Sequence, residues 1–331
     1  MNRVGVLFVH GLHQGSYLPR YGHELEENLR ALLASHEVQV RFSRVHYGLV
    51  LEERQNNLWA LLKGKGRKTV WDRFRSDCFL SLADSVTYLH GSREVYHMVH
   101  ECVATALNDL AAELYGIGGE DVPACTKLVL VGHSLGSFVL SNFLWDLQAA
   151  QSAAQRGDAS RLGKVLARTG LAVEALALLD RVALICTFGS NIPLFLSGMD
   201  ERPCIRGFDR WLNFYDPDDP LGFPLENLWT CDPLAHPDFP LPTTLEDRCI
   251  ETRGKGWFGR LLGRTPASHN LYWQDPRIAE AVVEAAGLRE FLAGPGVRPS
   301  ALGAGLQDRS ALDAALAGEA QQGLAQRRVL Q

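Results

Sequence analysis

Gly132-His133-Ser134-Leu135-Gly136 sets a serine between glycines two positions to either side. It follows an apolar run, Lys127 to Val131, and opens a helical pattern rich in Leu, Phe and Val. A strand entering a helix through so tight a turn forces the serine into strained backbone geometry that only small neighbours permit, and it holds the hydroxyl out above the sheet edge. The helix N-terminus beside it favours negative charge. A lone hydroxyl is a poor nucleophile, so acyl-transfer chemistry at Ser134 needs a histidine to take its proton and a carboxylate to orient that histidine. Asp216, Asp218 and Asp219 follow the run Trp211 to Tyr215, and His269 follows the run Leu245 to Thr252 after a loop. The alternative for the three aspartates is a solvated Asp/Pro turn capping a sheet. No EF-hand-like ligand series accompanies them, so no metal is expected there. His236, in a Pro-rich segment, is the reserve candidate for the base, while His13, His46 and His133 stand in no motif and read as surface or loop histidines.

Short β-rich runs alternating with longer helical patterns must position these groups, which is the pattern of βαβ units around a mostly parallel sheet. Strands are expected at Val4 to His10, Val38 to Tyr47, Lys127 to Val131, Arg181 to Phe188, Trp211 to Tyr215 and Leu245 to Thr252. Tyr21 to Ala34 carries Leu25, Leu29 and Leu32 or Leu33 on one helical face. Ser92 reads as an N-cap for a helix reaching Tyr115, where Gly116 and Gly118-Gly119 stop it. The helix after Ser134 is apolar on most sides, is expected to end near Gln148, and should be buried against the sheet. A last helix spans about Pro276 to Leu292. These elements make one domain over 1–292. Three segments interrupt it: 48–91, a candidate cap in which Trp59, Leu61, Leu62, Trp71 and Phe74 suit the mouth of a site; 151–180, helical; and 217–242, whose seven prolines mark an irregular loop. The remainder, 293–331, reads as a weakly ordered tail with at most one helix, Ser310 to Gly318.

With 331 residues, 46% of them hydrophobic and 21% charged, the chain can bury a core without disulfides or structural metal, and disordered, collagen-like and coiled-coil classes are excluded for the bulk of the chain. The net charge of −5 is uneven, because Lys63 to Arg75 carries +5 and Arg253 to Arg264 carries +4 within an otherwise acidic chain. That distribution argues against a general nucleic-acid binder and leaves room for a local anionic target such as a phospholipid headgroup. Seven cysteines, an odd set without a C-x-x-C pair, speak against a zinc site or a disulfide framework. No secretory leader reads from Val4 to His10, and Leu128 to Trp145 is too polar to span a membrane. The expected compartment is therefore the cytoplasm, with signal-independent export left open.

Phe8 to Leu12 (FVHGL), Gly132 to Gly136 (GHSLG), Thr187 to Ser190 (TFGS), Asn213 to Pro220 (NFYDPDDP) and Ser268 to Trp273 (SHNLYW) together resemble the α/β-hydrolase superfamily, in its serine esterase and lipase-like branch. The resemblance spans about residues 4 to 290. It implies an α/β-hydrolase fold, a mostly parallel central sheet with helices on both faces, and an ester hydrolase that needs no metal or organic cofactor. The family's Asp-x-Val-Pro-like and His-x-x-Tyr-like turns point to Asp219 as the acid and His269, followed by Tyr272, as the base. Asp216, closer to the strand end, stays the alternative acid. His10-Gly11 is similar to the family's oxyanion turn, which would set the Leu12 N–H opposite that of Leu135, with His10 bracing the loop. Trp257, Phe258 and Arg260, in the basic loop before His269, are candidate contacts for substrate or anionic lipid. The partner implied is a small-molecule or lipid ester, with peripheral membrane contact in play, no nucleic acid, and no oligomeric state legible. Two rivals stand beside the soluble esterase: a phospholipase acting at anionic membranes, even as a delivered effector, and a non-catalytic scaffold on the same fold.

Overall fold

A computed structural model of the chain describes residues 2–11, 21–34, 38–63, 83–89, 93–115, 125–197, 205, 207–228, 244–252 and 266–293. Six strands form one all-parallel sheet: β1 (Asn2–Val9), β2 (Val38–Val45), β3 (Thr126–His133), β4 (Val182–Phe188), β5 (Arg210–Tyr215) and β6 (Thr244–Cys249), in the order β2-β1-β3-β4-β5-β6. Strands buried on both faces need near-continuous apolar runs, and β1, β3 and β4 have them. Alternate residues divide between two cores. Leu7, Val9, Leu128, Leu130, Ile185 and Trp211 face one; Phe8, Val129, Val131, Leu184, Cys186 and Phe214 face the other. The edge strands β2 and β6 are the polar ones and remain half-buried.

Helices cover both faces. On the first lie α2 (Gly48–Lys63), α3 (83–89), α4 (Arg93–Tyr115), α5 (Leu135–Gln155), α6 (Ala159–Thr169) and α7 (Val173–Leu179). On the second lie α1 (His23–Leu33), α9 (Pro276–Ala285) and α10 (Leu288–Ala293), while the short α8 (Ile192–Leu196) after β4 packs on the first. The arrangement is the α/β, doubly covered parallel sheet that the sequence led us to expect. In α1 the predicted stripe is Leu25, Leu29 and Leu33.

Several boundaries differ from the sequence expectation. The helix after Ser134 runs to Gln155, not Gln148, because Ala150, Ser152 and Ala153 continue its buried face until Gly157 turns at φ 98°. The last helix is two, broken at Gly287 (φ 55°), where Lys127 Nζ donates to the Ala286 and Gly287 carbonyls at 2.6 and 3.0 Å. β6 stops at Cys249, since Thr252 is drawn off to a side-chain partner described below. Ser310 to Gly318 lies outside the described residues. Among the described residues no helix is long and apolar enough to cross a membrane.

Strand order reverses between β1 and β3: the chain leaves β1 toward β2 and leaves β3 toward β4. In an open parallel sheet the crevice at the carboxyl ends of such a pair is where ligands bind. Gly11 and Ser134 both lie there.

Candidate active site

Ser134 sits between β3 and α5 with φ 53° and ψ −126°, the one non-glycine with positive φ among the described residues. Such a conformation costs about 1–3 kcal/mol and persists only where packing enforces it. Packing does so here. A Cβ on Gly136 would lie 2.2 Å from the His10 carbonyl oxygen and 2.3 Å from that of Val9, and one on Gly132 would lie 2.9 Å from Ser137 Cα. The glycines let α5 press its first turn against the end of β1. Leu135 opens α5, so its N–H belongs to the turn whose donors lack intrahelical acceptors.

The hydroxyl meets a histidine from the other end of the chain. His269 Nε2 is 2.8 Å from Ser134 Oγ, and His269 Nδ1 is 2.9 Å from each oxygen of Asp219. His269 stands in a short 3-10 turn, Pro266–Asn270, and Asp219 in the turn after β5. Asp219 is held from two further directions, by the Leu221 N–H on Oδ1 (2.9 Å) and the Tyr272 hydroxyl on Oδ2 (2.8 Å). Burial works to raise the Asp219 pKa. The hydrogen bond and charge of His269, with the Leu221 and Tyr272 donors, outweigh it and keep the carboxyl below its ordinary value. The turn closes tightly around this group: a Cβ on Gly222 would come within 2.4 Å of Asp219 Oδ2.

Asp216, the alternative acid, faces elsewhere. It is fully buried, and its Oδ2 accepts from the Thr252 N–H (2.6 Å) and hydroxyl (2.8 Å), while Oδ1 accepts from the Asp218 N–H (2.9 Å). It thus ties the end of β5 to the segment leaving β6. Asp218 is exposed. Tyr272 joins the two aspartates, because its hydroxyl accepts from the Asp216 N–H at 2.8 Å while donating to Asp219. The far side of the same loop is pinned by Asp247 on β6, which accepts from the Leu225 and Glu226 N–H groups and from Asn213 Nδ2. Asn213 Oδ1 in turn accepts from Thr187, whose hydroxyl oxygen accepts from Trp211 Nε1.

His10 braces the end of β1. Its Nδ1 donates to the Gly11 carbonyl (2.6 Å), its ring stacks on Tyr47 at 4.3 Å, and the Tyr47 hydroxyl donates to the His10 carbonyl (2.6 Å). Burial pushes its pKa down to about 4. His133 departs from the sequence expectation of a surface or loop histidine. It is buried at the end of β3, where the motif's own strand carries it inside. His46 is exposed. Leu12, His13, His236, Trp257, Phe258 and Arg260 lie outside the described residues. Among the described residues no cluster of three or more His, Cys, Asp or Glu side chains could hold a metal ion. Sequence reasoning did not find the polar ties through Thr187, Asn213 and Asp247. Their signal was a buried-type strand, Trp211 to Tyr215, interrupted by Asn213.

A model of the alpha/beta hydrolase family matches residues 6–329. No curated protein matches the chain. Among solved structures it is similar to an iodinated complex of acetyl xylan esterase, at 12% identity over 84% of this chain and 99% of that one, with a TM-score of 0.28. At that score nothing is carried over from that enzyme.

Proposed function

The chain belongs to the alpha/beta hydrolase family, and from that premise we propose that it is a serine hydrolase cleaving carboxylic esters through an acyl-enzyme intermediate. The observation that carries the reading is the continuous relay from Ser134 Oγ to His269 Nε2 at 2.8 Å and from His269 Nδ1 to Asp219 at 2.9 Å. With Nδ1 donating to the carboxylate, Nε2 is left as an acceptor for the serine proton. Ser134 Oγ attacks the ester carbonyl as His269 takes its proton, and the imidazolium formed is stabilised by the Asp219 carboxylate. His269 then gives the proton to the leaving alcohol. Water, activated by the same Nε2, hydrolyses the acyl-Ser134 ester and regenerates the hydroxyl. The oxyanion lies at the N-terminus of the 21-residue α5, where the Leu135 N–H and the helix dipole favour negative charge. Leu12 N–H is the second donor in this reading.

The test is hydrolysis of a series of p-nitrophenyl esters by wild type and Ser134→Ala. Ester turnover lost in the variant supports the proposal, equal turnover by both proteins refutes it, and turnover by neither refutes it in favour of a non-catalytic scaffold. One observation favours an interface-active version. In α2, which begins just after Tyr47 at the site's edge, Leu58, Leu61 and Leu62 are 49%, 79% and 57% exposed, and Lys63 to Arg75 then carries +5 in the sequence. Exposed leucines on a helix that the sequence follows with basic residues suit an anionic lipid interface. Activity rising steeply once substrate forms micelles or anionic liposomes supports this version, and indifference to the aggregated state removes it.

A further inference from the structure

We propose that His133 is a positioning residue for the base, its Nε2–H donating to the main-chain carbonyl of His269 and fixing the backbone from which that imidazole reaches Ser134. The inference rests on the serine-hydrolase reading and assigns a part to a side chain that the triad itself does not use. His133 Nε2 is 2.7 Å from the His269 carbonyl oxygen, and the two rings lie 4.8 Å apart at 39°. Phe188 and Trp273 close around the same ring, at 5.4 and 5.6 Å. The bond runs from the last residue of β3, adjacent to the nucleophile, to the backbone of the base, and so spans two catalytic groups 135 positions apart in sequence. Another tie to this turn, Thr252 Oγ1 to the Ser268 carbonyl, is longer at 3.4 Å.

The ring carries a cost that packing alone does not explain. A carbonyl partner fixes Nε2 as the protonated nitrogen, and burial, the largest influence, pushes the pKa down to about 3, so the ring is neutral. Its Nδ1 is then a buried acceptor, and it finds no hydrogen-bond partner among the described residues. An aromatic hydrocarbon would fill the site without that penalty. Nδ1 faces the other side of the site: a Cβ on Gly11 would lie 3.1 Å from it and 3.2 Å from Ser134 Oγ. His133 is thus wedged between the base and the turn ending β1, and its one donor is spent on the base.

Two variants separate donor from volume. His133→Phe keeps a ring and its stacking but has no N–H; His133→Gln offers an amide donor near the Nε2 position. For His133→Phe, kcat for a p-nitrophenyl ester and the fluorophosphonate labelling rate should both fall by about 10- to 100-fold, the loss associated with a displaced catalytic group. KM should stay within about twofold, and His133→Gln should recover most of the loss. Wild-type kcat in His133→Phe, or equal losses in both variants, overturns the proposal. In the wild-type protein, ¹⁵N NMR of the imidazoles should show His133 neutral and protonated at Nε2 at pH 7. A ring protonated at Nδ1 overturns the proposal even if neither variant folds. Ester turnover surviving Ser134→Ala defeats the underlying reading instead, whereas an inactive Ser134→Ala beside a fully active His133→Phe defeats this inference alone.

Discussion

Replacing the two buried aspartates of the β5 turn by asparagine, one at a time, should damage different properties of the protein. In Asp219→Asn the amide oxygen can serve one of the donors that converge there, Leu221 N–H or Tyr272 hydroxyl, and the NH₂ must face another. With one of the two oxygens beside His269 Nδ1 replaced by NH₂ and the carboxylate charge gone, the productive tautomer loses its preference to one that carries its proton on Nε2, pointing at Ser134 instead of awaiting its proton. A wrong tautomer in an otherwise intact triad lowers kcat by about 10⁴, or roughly 5.5 kcal/mol of barrier. In Asp216→Asn the side chain can turn its oxygen to Thr252 and keep both of those bonds, which leaves NH₂ against the Asp218 N–H. That mismatch costs about 1–3 kcal/mol of stability, a melting temperature lower by roughly 3–10 °C, with kcat within about tenfold of wild type at a temperature where the variant is folded. Steady-state kinetics and thermal unfolding of both variants make the comparison. If Asp216→Asn loses more kcat than Asp219→Asn, or if Asp219→Asn stays within tenfold of wild type, the assignment of the acid is wrong.

Three further outcomes follow from the same geometry. Tyr272→Phe strips Asp219 of one donor and leaves the Asp216 N–H unpaired, so thermal unfolding should show a loss of about 1–3 kcal/mol; an unchanged melting temperature would mean that the hydroxyl bridges nothing in solution. Gly222→Ala pushes a methyl to 2.4 Å from Asp219 Oδ2, and it should lower kcat by about 10²-fold or more while the protein remains folded by circular dichroism; wild-type kinetics would show the turn to be slack. Burial lowers His10, His100 and His133 to about 4, 3 and 3. Each titrates near 6.5 when unfolded, so below that pH the unfolded chain binds protons that the folded chain does not, and stability falls as pH drops toward 4. Three such groups contribute a slope of about 4 kcal/mol per pH unit, and Asp180, which burial raises to about 7, offsets roughly a third of it. Urea midpoints between pH 6.5 and 5 should show the remainder, His100→Phe should shallow it by about half, and a flat profile would contradict neutral burial of these rings.

What the sequence disclosed followed physical constraint. Ser134 was legible because strand, tight glycine turn and helix leave a local imprint, and the apolar runs of β1, β3 and β4 were legible because parallel strands are buried on both faces. The choice between Asp216 and Asp219 was less so, since both stand in one turn and only the path of the chain decides which side chain meets a histidine 50 residues away. His133 was misjudged for a related reason: histidine is common on surfaces, and its burial depends on the segment Ser268 to Trp273 folding back over the end of β3. The extension of α5 to Gln155 was hidden because Ala, Ser and Gln are weak markers of burial, although Ala150, Ser152 and Ala153 are all inside.

The most direct test of the central claim is covalent: label the purified protein with a fluorophosphonate, digest it, and locate the adduct by mass spectrometry in wild type, Ser134→Ala and His269→Ala. The account predicts one adduct, on Ser134, absent from Ser134→Ala and formed at least about 10³-fold more slowly in His269→Ala. Equal labelling of wild type and Ser134→Ala, or no labelling of an otherwise folded wild-type protein, would contradict it.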